Sequence, residues 1–294
     1  MYKILLISCK IAKNTVPSFV IPAQQDEYIC VPIGVYCVHL QKLSITNMTF
    51  ILLALAIAPG LAIAIFIYEK DKLDKEPLHL LVKSFFLGAL SVVVAILLQE
   101  SGKFFYGFFT QLFNLAPQGD LSATFGYAVV IGLTEEWSKY IFLIIFAYRK
   151  KEFNEPFDGI TYAVMIAMGF ATVENMFYVA EGGLEVAIIR MFTAVPAHAT
   201  FAVAMGYFVG LAKFKHQHDI GLYKLTGLLG ATLLHAFYDF FFFVESYPIM
   251  ALGGIISLLI GVGLSARAIR LHNYNSPFNH QRHPQEAEKQ EVNS

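Results

Sequence analysis

Charge is scarce in this sequence. Asp, Glu, Lys and Arg supply 15% of its 294 residues and hydrophobic residues 56%, against about 25% and about 45 to 50% in a soluble domain. Cysteine is scarcer still: Cys9, Cys30 and Cys37 are the only three. One thiol is left over from any pairing and their spacing matches no metal-ligand pattern, which excludes a disulfide-stapled secreted module. Strands alternating with amphipathic helices are missing, which excludes a Rossmann-type or TIM-barrel enzyme. The hydrophobic content excludes a disordered chain. A net charge of -1 gives no basis for binding nucleic acid.

What the chain has instead is a series of apolar runs of about 20 residues, the length that crosses a 30 Å hydrocarbon layer as a helix. They predict an all-α, polytopic transmembrane helical bundle of about seven spans, over residues 48–68, 78–98, 125–148, 159–180, 191–212, 225–245 and 249–268. Lys and Arg concentrate in the first, third and fifth connections and in the tail. The positive-inside rule then places the C-terminus in the cytoplasm of a multi-pass protein of the cell membrane. Residues 1–47 read as an atypical N-terminal extension that does not fit this charge pattern, 48–270 as the transmembrane domain, and 271–294 as a disordered cytoplasmic tail. The aromatic outer connection 101–120, with Phe104, Phe105, Tyr106 and Phe108, is expected to lie as a helix in the membrane interface. Gly206 and Gly210 are a small-xxx-small packing pair.

Few ionisable residues fall well inside the spans: Glu135, Glu136 and Lys139 in the third, Glu174 in the fourth, His198 in the fifth, His235 and Asp239 in the sixth. Each charge costs about 2.5 to 3.5 kcal/mol at the centre of a helix in lipid, so these groups must face one another or water. Counted from the outer end of each span, the acids and histidines all lie in the outer half of the bilayer. Four helices thus bring acids and imidazoles to one level, as an intramembrane site requires. The remaining histidines read as solvated.

Spacing adds three pairs on single helix faces: Glu135 with Lys139, Glu174 with Tyr178, and His235 with Asp239. A carboxylate four residues from a histidine can hold one ring nitrogen and leave the other for a substrate, water or metal. Asn175 offers an amide that could donate to an oxyanion. Buried carboxyls beside histidines suit general acid-base hydrolysis of a peptide bond. Other protease chemistries lack their motifs: there is no His-Glu-x-x-His, no Gly-x-Ser-Gly and no Gly-x-Gly-Asp. A proton- or ion-coupled transporter is the alternative from a different class. It calls for inverted repeats and broken helices, whereas the halves show no repeat and only Pro59 and Pro196 interrupt spans.

The motifs Glu135-Glu136-Trp137-Ser138-Lys139, Phe157-Asp158-Gly159-Ile160, Gly169-Phe170-Ala171, Glu174-Asn175 with Tyr178, His198, Gly206-Tyr207 and His235-Ala236-Phe237-Tyr238-Asp239 follow one another on successive helices. In that order they resemble the PrsW family of intramembrane proteases over 48 to about 270. The family is distantly similar to the CAAX protease and bacteriocin-processing superfamily, and a CAAX or peptide-processing protease is the alternative with the same chemistry. The resemblance implies an endopeptidase acting on a membrane-anchored protein within the bilayer, as in site-1 cleavage of a single-span anti-sigma factor. It also implies roles. Glu135 or Glu136 activates water, His198 and His235 polarise it or form the oxyanion site, Asp239 orients His235, and Glu174 with Asn175 completes the pocket. The family has been described both as metal-dependent and as glutamate-type. No cofactor is expected, because no two candidate ligands share a known metal-binding spacing. If a divalent metal such as zinc is present, its ligands come from Glu135, Glu136, His198, His235 and Asp239.

Overall fold

The computed structural model describes residues 28–33, 36–41, 45–112, 120–214, 218–244 and 247–279. Among the described residues seven α-helices follow one another: α1 (Ile45–Lys70), α2 (Leu78–Leu112), α3 (Asp120–Phe142), α4 (Pro156–Phe192), α5 (Ala194–Lys213), α6 (Ile220–Phe243) and α7 (Ala251–Asn275). A π-helical turn, Leu143–Ala147, extends α3. Among the described residues five stretches are long and apolar enough to cross a membrane. One of them, Pro156–Lys213, holds both α4 and α5. The stretch α3 is not among them, and it carries Glu135, Glu136 and Lys139. Large apolar side chains such as Phe66, Leu97 and Leu259 are exposed while Glu135, Glu136 and Lys139 of α3 are buried, the inside-out polarity of a protein whose solvent is lipid. This is a multi-pass helical membrane protein.

Residues up to Leu53 form a unit apart from the rest. Its described part holds an antiparallel hairpin, β1 (Tyr28–Ile33) with β2 (Tyr36–Gln41), in which Tyr28 pairs with Gln41 and Ile33 with Tyr36. Most of the expected extension 1–47, Cys9 included, lies outside the described residues.

In the helical unit α4 is the axis. Every residue from Phe157 to Thr172 is buried, as expected of a helix apolar on all sides. It starts sharply because Pro156 sits at its first position and Asp158 accepts from the backbone N–H groups of Asn154 and Glu155 at 2.7 and 2.8 Å, a capping arrangement that satisfies otherwise orphaned donors. At Gly206 the chain of α5 lies against Gly159 and Ile160 of α4 so closely that a side chain there would strike backbone. The small-residue pair therefore does what its spacing implies.

Three expectations change. The aromatic segment after residue 100 is no separate interfacial helix: α2 runs unbroken to Leu112, a length of 35 residues or about 52 Å, and Tyr106 packs on Tyr127 of α3. No residue in that segment stops the helix before 112. Pro196 does not break its span, because α5 begins at Ala194 and a first-turn proline lacks only an N–H that had no partner. The expected tail also begins too early. His272 and Ser276 are buried, and the Ser276 hydroxyl donates to Glu155; residues 280–294 lie outside the described set.

Near the starts of α2 and α4 the acids Asp71, Glu76 and Glu155 are buried, and Tyr162 donates its hydroxyl to Glu76. Burial pushes the Glu76 carboxyl from its ordinary 4.5 up to about 7, with Asp71 nearby adding repulsion and the Tyr162 hydroxyl opposing. Burial likewise raises Asp71 to about 6 and Glu155 to about 7. A carboxyl whose folded value is raised binds more protons folded than unfolded. Its stabilising effect is complete below the unfolded value and is lost as pH climbs from about 4.5 through about 7. Glu76→Gln keeps the acceptor for Tyr162 and removes the titration. It is expected to stabilise the protein at pH 8 by roughly 1 kcal/mol, allowing for solvent screening, or about 2 to 4 °C. Thermal melts of both proteins at pH 5 and pH 8 measure this, and the variant should show the flatter dependence.

Candidate active site

Four helices converge on one buried cluster. From α3 come Glu135, Glu136 and Lys139, from α4 Glu174, from α5 His198, and from α6 His235 and Asp239. The histidine rings stand 5.1 Å apart, and Phe201 stacks on His235 at 4.7 Å. Beside them lies a cavity of about 360 Å³ whose polar wall includes Gln99, Glu135, Glu174, Arg190, His198, His235 and Asp239, with Tyr178 and Phe177 at its edge. Glu136, Lys139 and Asn175 do not line it; they stand behind the wall.

The hydrogen bonds fix the state of both imidazoles. Lys139 Nζ lies 3.2 Å from His198 Nδ1, and an ammonium can only donate, so Nδ1 carries no proton. His198 is then the neutral tautomer whose Nε2–H donates to Glu174 Oε2 at 2.9 Å. His235 is the opposite case. Its Nδ1 lies 3.0 Å from Glu136 Oε1, and its Nε2 lies 3.3 Å from Asp239 Oδ2 and 3.8 Å from Glu135 Oε2. Acids on both sides hold it as an imidazolium that donates from each nitrogen. The His235–Asp239 pair therefore forms as its spacing implies, but the other ring nitrogen is engaged by Glu136 rather than left for a ligand.

The partner of Lys139 also differs from the i,i+4 expectation. Its ammonium bonds Glu136 Oε1 at 2.7 Å, one residue closer along the helix, and stays 3.6 Å from Glu135; its other side lies over the Phe170 ring at 4.1 Å. This separates the two glutamates. Glu136 accepts from two cations, Lys139 and His235, and Glu174 accepts from Arg190 and His198. Glu135 is bonded only by the neutral amide of Gln99, at 3.2 Å through Oε1. Its Oε2 is buried and makes no hydrogen bond. Glu135 is thus the carboxylate whose charge the protein satisfies least, and it faces the cavity.

Arg190 completes the cluster although the sequence reading leaves it in an outer connection. It donates from Nη2 to Glu174 at 2.8 Å and from Nε to Asn175 at 2.9 Å, and its guanidinium lies 3.9 Å over the Tyr178 ring. Residues 16 apart on a straight helix are about 24 Å apart. They meet because α4 breaks at Gly183, whose φ of 68° and ψ of -151° fold the last turns back. That region of backbone space is essentially closed to residues with a side chain. Gly183→Val is expected to release the returning turn and lower cleavage at least about tenfold, with the bundle still folded by circular dichroism. Wild-type activity in a folded variant would show that Arg190 is dispensable. The amide of Asn175, offered above as an oxyanion donor, is spent on the Ala56 carbonyl at 3.0 Å, so Asn175 anchors Arg190 instead.

The model of the PrsW family, described as intramembrane metalloproteases, matches residues 76–265. This chain belongs to the PrsW family. Protease PrsW of Shouchella clausii (strain KSM-K16) is 36% identical over 185 residues, covering 63% of this chain and 80% of its own length. Protease PrsW of Bacillus subtilis (strain 168) is 32% identical over 199 residues, or 65% and 82% of the two chains, and that of Clostridioides difficile (strain 630) 36% identical over 199, or 66% and 80%. No solved structure matches. Membership makes the chain an intramembrane protease and displaces the transporter alternative.

The PrsW description as a metalloprotease raises the question of an ion. Glu135, His198 and His235 each offer a ligand atom, all within 4.8 Å of one another. Two histidines and a glutamate are a donor set of catalytic zinc sites, and Glu136 behind His235 matches the carboxylate that orients a ligating imidazole. These residue types fit a divalent ion. The expectation of no cofactor rested on spacing along the chain, which carries no weight for ligands delivered by three separate helices.

Proposed function

We propose that this protease hydrolyses a peptide bond of a single-span, anti-sigma-factor-like membrane protein in the outer half of the bilayer, with Glu135 as the base that activates water. The observation that carries the reading is the buried Oε2 of Glu135, which accepts no hydrogen bond and lies at the wall of the cavity, with Lys139 at 3.6 Å and His235 at 3.8 Å. A carboxylate so placed takes a proton from water as the water oxygen bonds to the substrate carbonyl carbon. The Nε2–H of His235, which rests on Asp239 at 3.3 Å, is a charged donor on the same wall, shared between Asp239 and the oxygen that becomes negative. Asp239 and Glu136 keep that imidazole charged and oriented. When the C–N bond breaks, the protonated Glu135 returns its proton to the leaving amine. Glu174, held by Arg190, fixes His198.

A second reading is favoured by the convergence of Glu135, His198 and His235: these three would hold a divalent ion, whose chemistry is to polarise the scissile carbonyl and acidify water. One experiment separates the two. Purified protein in vesicles is given a single-span substrate, with and without a chelator, and the products are mapped by mass spectrometry. The base reading expects a cut in the outer half of the span at an unchanged rate in chelator. Loss of activity restored by zinc favours the metal reading, in which Glu135 and both histidines would be the ligands. A cut outside the bilayer removes the proposed substrate geometry.

A further inference from the structure

Away from the catalytic cavity, a groove of about 710 Å³ is bordered by α1, α5 and α7, within the size range of small-molecule sites. Its walls are apolar, from Ile63, Phe66, Val203 and Val262, but one end is not. There Lys70, at the end of α1, and Lys72 line it together with Arg270 from the last turns of α7. The same two lysines border a second pocket of about 420 Å³ that continues past this end.

The rim is strongly positive for a structural reason. Lys70 and Lys72 are exposed while Asp71 between them is fully buried, and Glu76 and Glu155 also turn into the bundle. Of the other acids nearby, the exposed Glu69 pairs with Lys75 at 3.6 Å, and the half-buried Asp74 accepts from the Asn154 amide at 2.7 Å. Among the described residues, none of Lys70, Lys72 and Arg270 forms an ion pair. Arg270 gives its Nε–H to the Ala266 carbonyl at 3.2 Å, one of its five donors. An apolar slot ending in three cations without acid partners, at the ends of membrane helices, is complementary to an amphiphile with a negative head. Basic pockets between membrane helices recognise such head groups.

We propose that this groove binds an anionic phospholipid, its acyl chain along the apolar walls and its phosphate against Lys70, Lys72 and Arg270. The site is separate from the catalytic cavity, and the inference does not depend on how the peptide bond is cut.

The test uses the delipidated full chain in neutral detergent, titrated with phosphatidylglycerol, phosphatidylcholine or inorganic phosphate and followed by native mass spectrometry. Phosphatidylglycerol is expected to bind about tenfold or more tighter than phosphatidylcholine, and inorganic phosphate is expected not to compete at matched concentration. The combined Lys70→Gln, Lys72→Gln and Arg270→Gln variant, changed only at exposed side chains, should lose that preference with an unchanged melting temperature. Ala266→Phe, which narrows the groove, should weaken both lipids. Equal binding of the two lipids, or a preference that survives the triple substitution, overturns the proposal. Full competition by inorganic phosphate, or no effect of Ala266→Phe, overturns the acyl placement. Binding that appears only after deletion of 280–294, with its Glu286, Glu288 and Glu291, would give the groove to the tail. A raised KM for the single-span substrate with lipid binding untouched would give it to the substrate; either result overturns the proposal.

Discussion

Replacing Glu135 by Gln is expected to lower the cleavage rate about 10³-fold or more while the protein folds as before. Gln keeps the size of the side chain and can still accept from Gln99 through its carbonyl oxygen, so the bundle loses no packing. What it loses is the proton acceptor. General base catalysis contributes about 10²- to 10⁴-fold, equivalent to roughly 3 to 5 kcal/mol of transition-state energy. If Glu135 is a metal ligand instead, the variant loses the ion and activity falls as far. Glu136→Gln should behave differently. Glu136 does not reach the cavity, but it accepts from both Lys139 and His235. Weakening those bonds misplaces His235 and predicts a loss of about 10- to 100-fold, together with a lower melting temperature. Single-turnover cleavage, with melting curves recorded alongside, distinguishes the pattern. Activity of Glu135→Gln within tenfold of wild type would remove Glu135 from the chemistry under either reading.

Much of this site was legible because charge in a membrane helix is costly. Glu135, Glu136, Lys139, Glu174, His198, His235 and Asp239 stand out against apolar surroundings, and the structure brings them into one cluster. The helices themselves were equally legible, since an apolar run of about 20 residues has few alternatives. The hidden features depend on how the chain turns. Arg190 reads as a loop cation because only the fold-back at Gly183 returns it to Glu174; the Gly182-Gly183 pair was the available signal. The choice of Glu136 over Glu135 by Lys139 is set by the side chains facing α3, His198 and Phe170, which i,i+4 counting omits. His272 reads as a tail residue, yet it packs on Tyr207 at 4.3 Å because α7 continues past the hydrophobic run. Only the metal-binding spacing rule failed on the converging residues, since it captures ligands on one helix and Glu135, His198 and His235 come from three.

Lys139→Met should have the largest effect on stability. The ammonium is buried to 2% exposure and holds Glu136, itself 1% exposed, at 2.7 Å. Met preserves the length of the side chain and much of its contact with Phe170, so the change isolates the charge. Breaking a buried pair by removing one partner costs about 3 to 5 kcal/mol, and here it leaves the buried Glu136 carboxylate with His235 as its one cation. At about 2 to 4 °C per kcal/mol this lowers the melting temperature by on the order of 10 °C. Removing the second charge should reverse most of the loss. The double variant Lys139→Met with Glu136→Gln is expected to melt well above the single Lys139→Met variant, by roughly half the deficit or more, since a neutral pair of similar volume replaces an ion pair. Cleavage need not return with stability, because His235 still lacks the Glu136 carboxylate that holds its Nδ1–H. A double variant that melts no higher than Lys139→Met would mean that the lysine contributes through packing on Phe170 rather than by neutralising Glu136, and the electrostatic account of the cluster would fail at its centre.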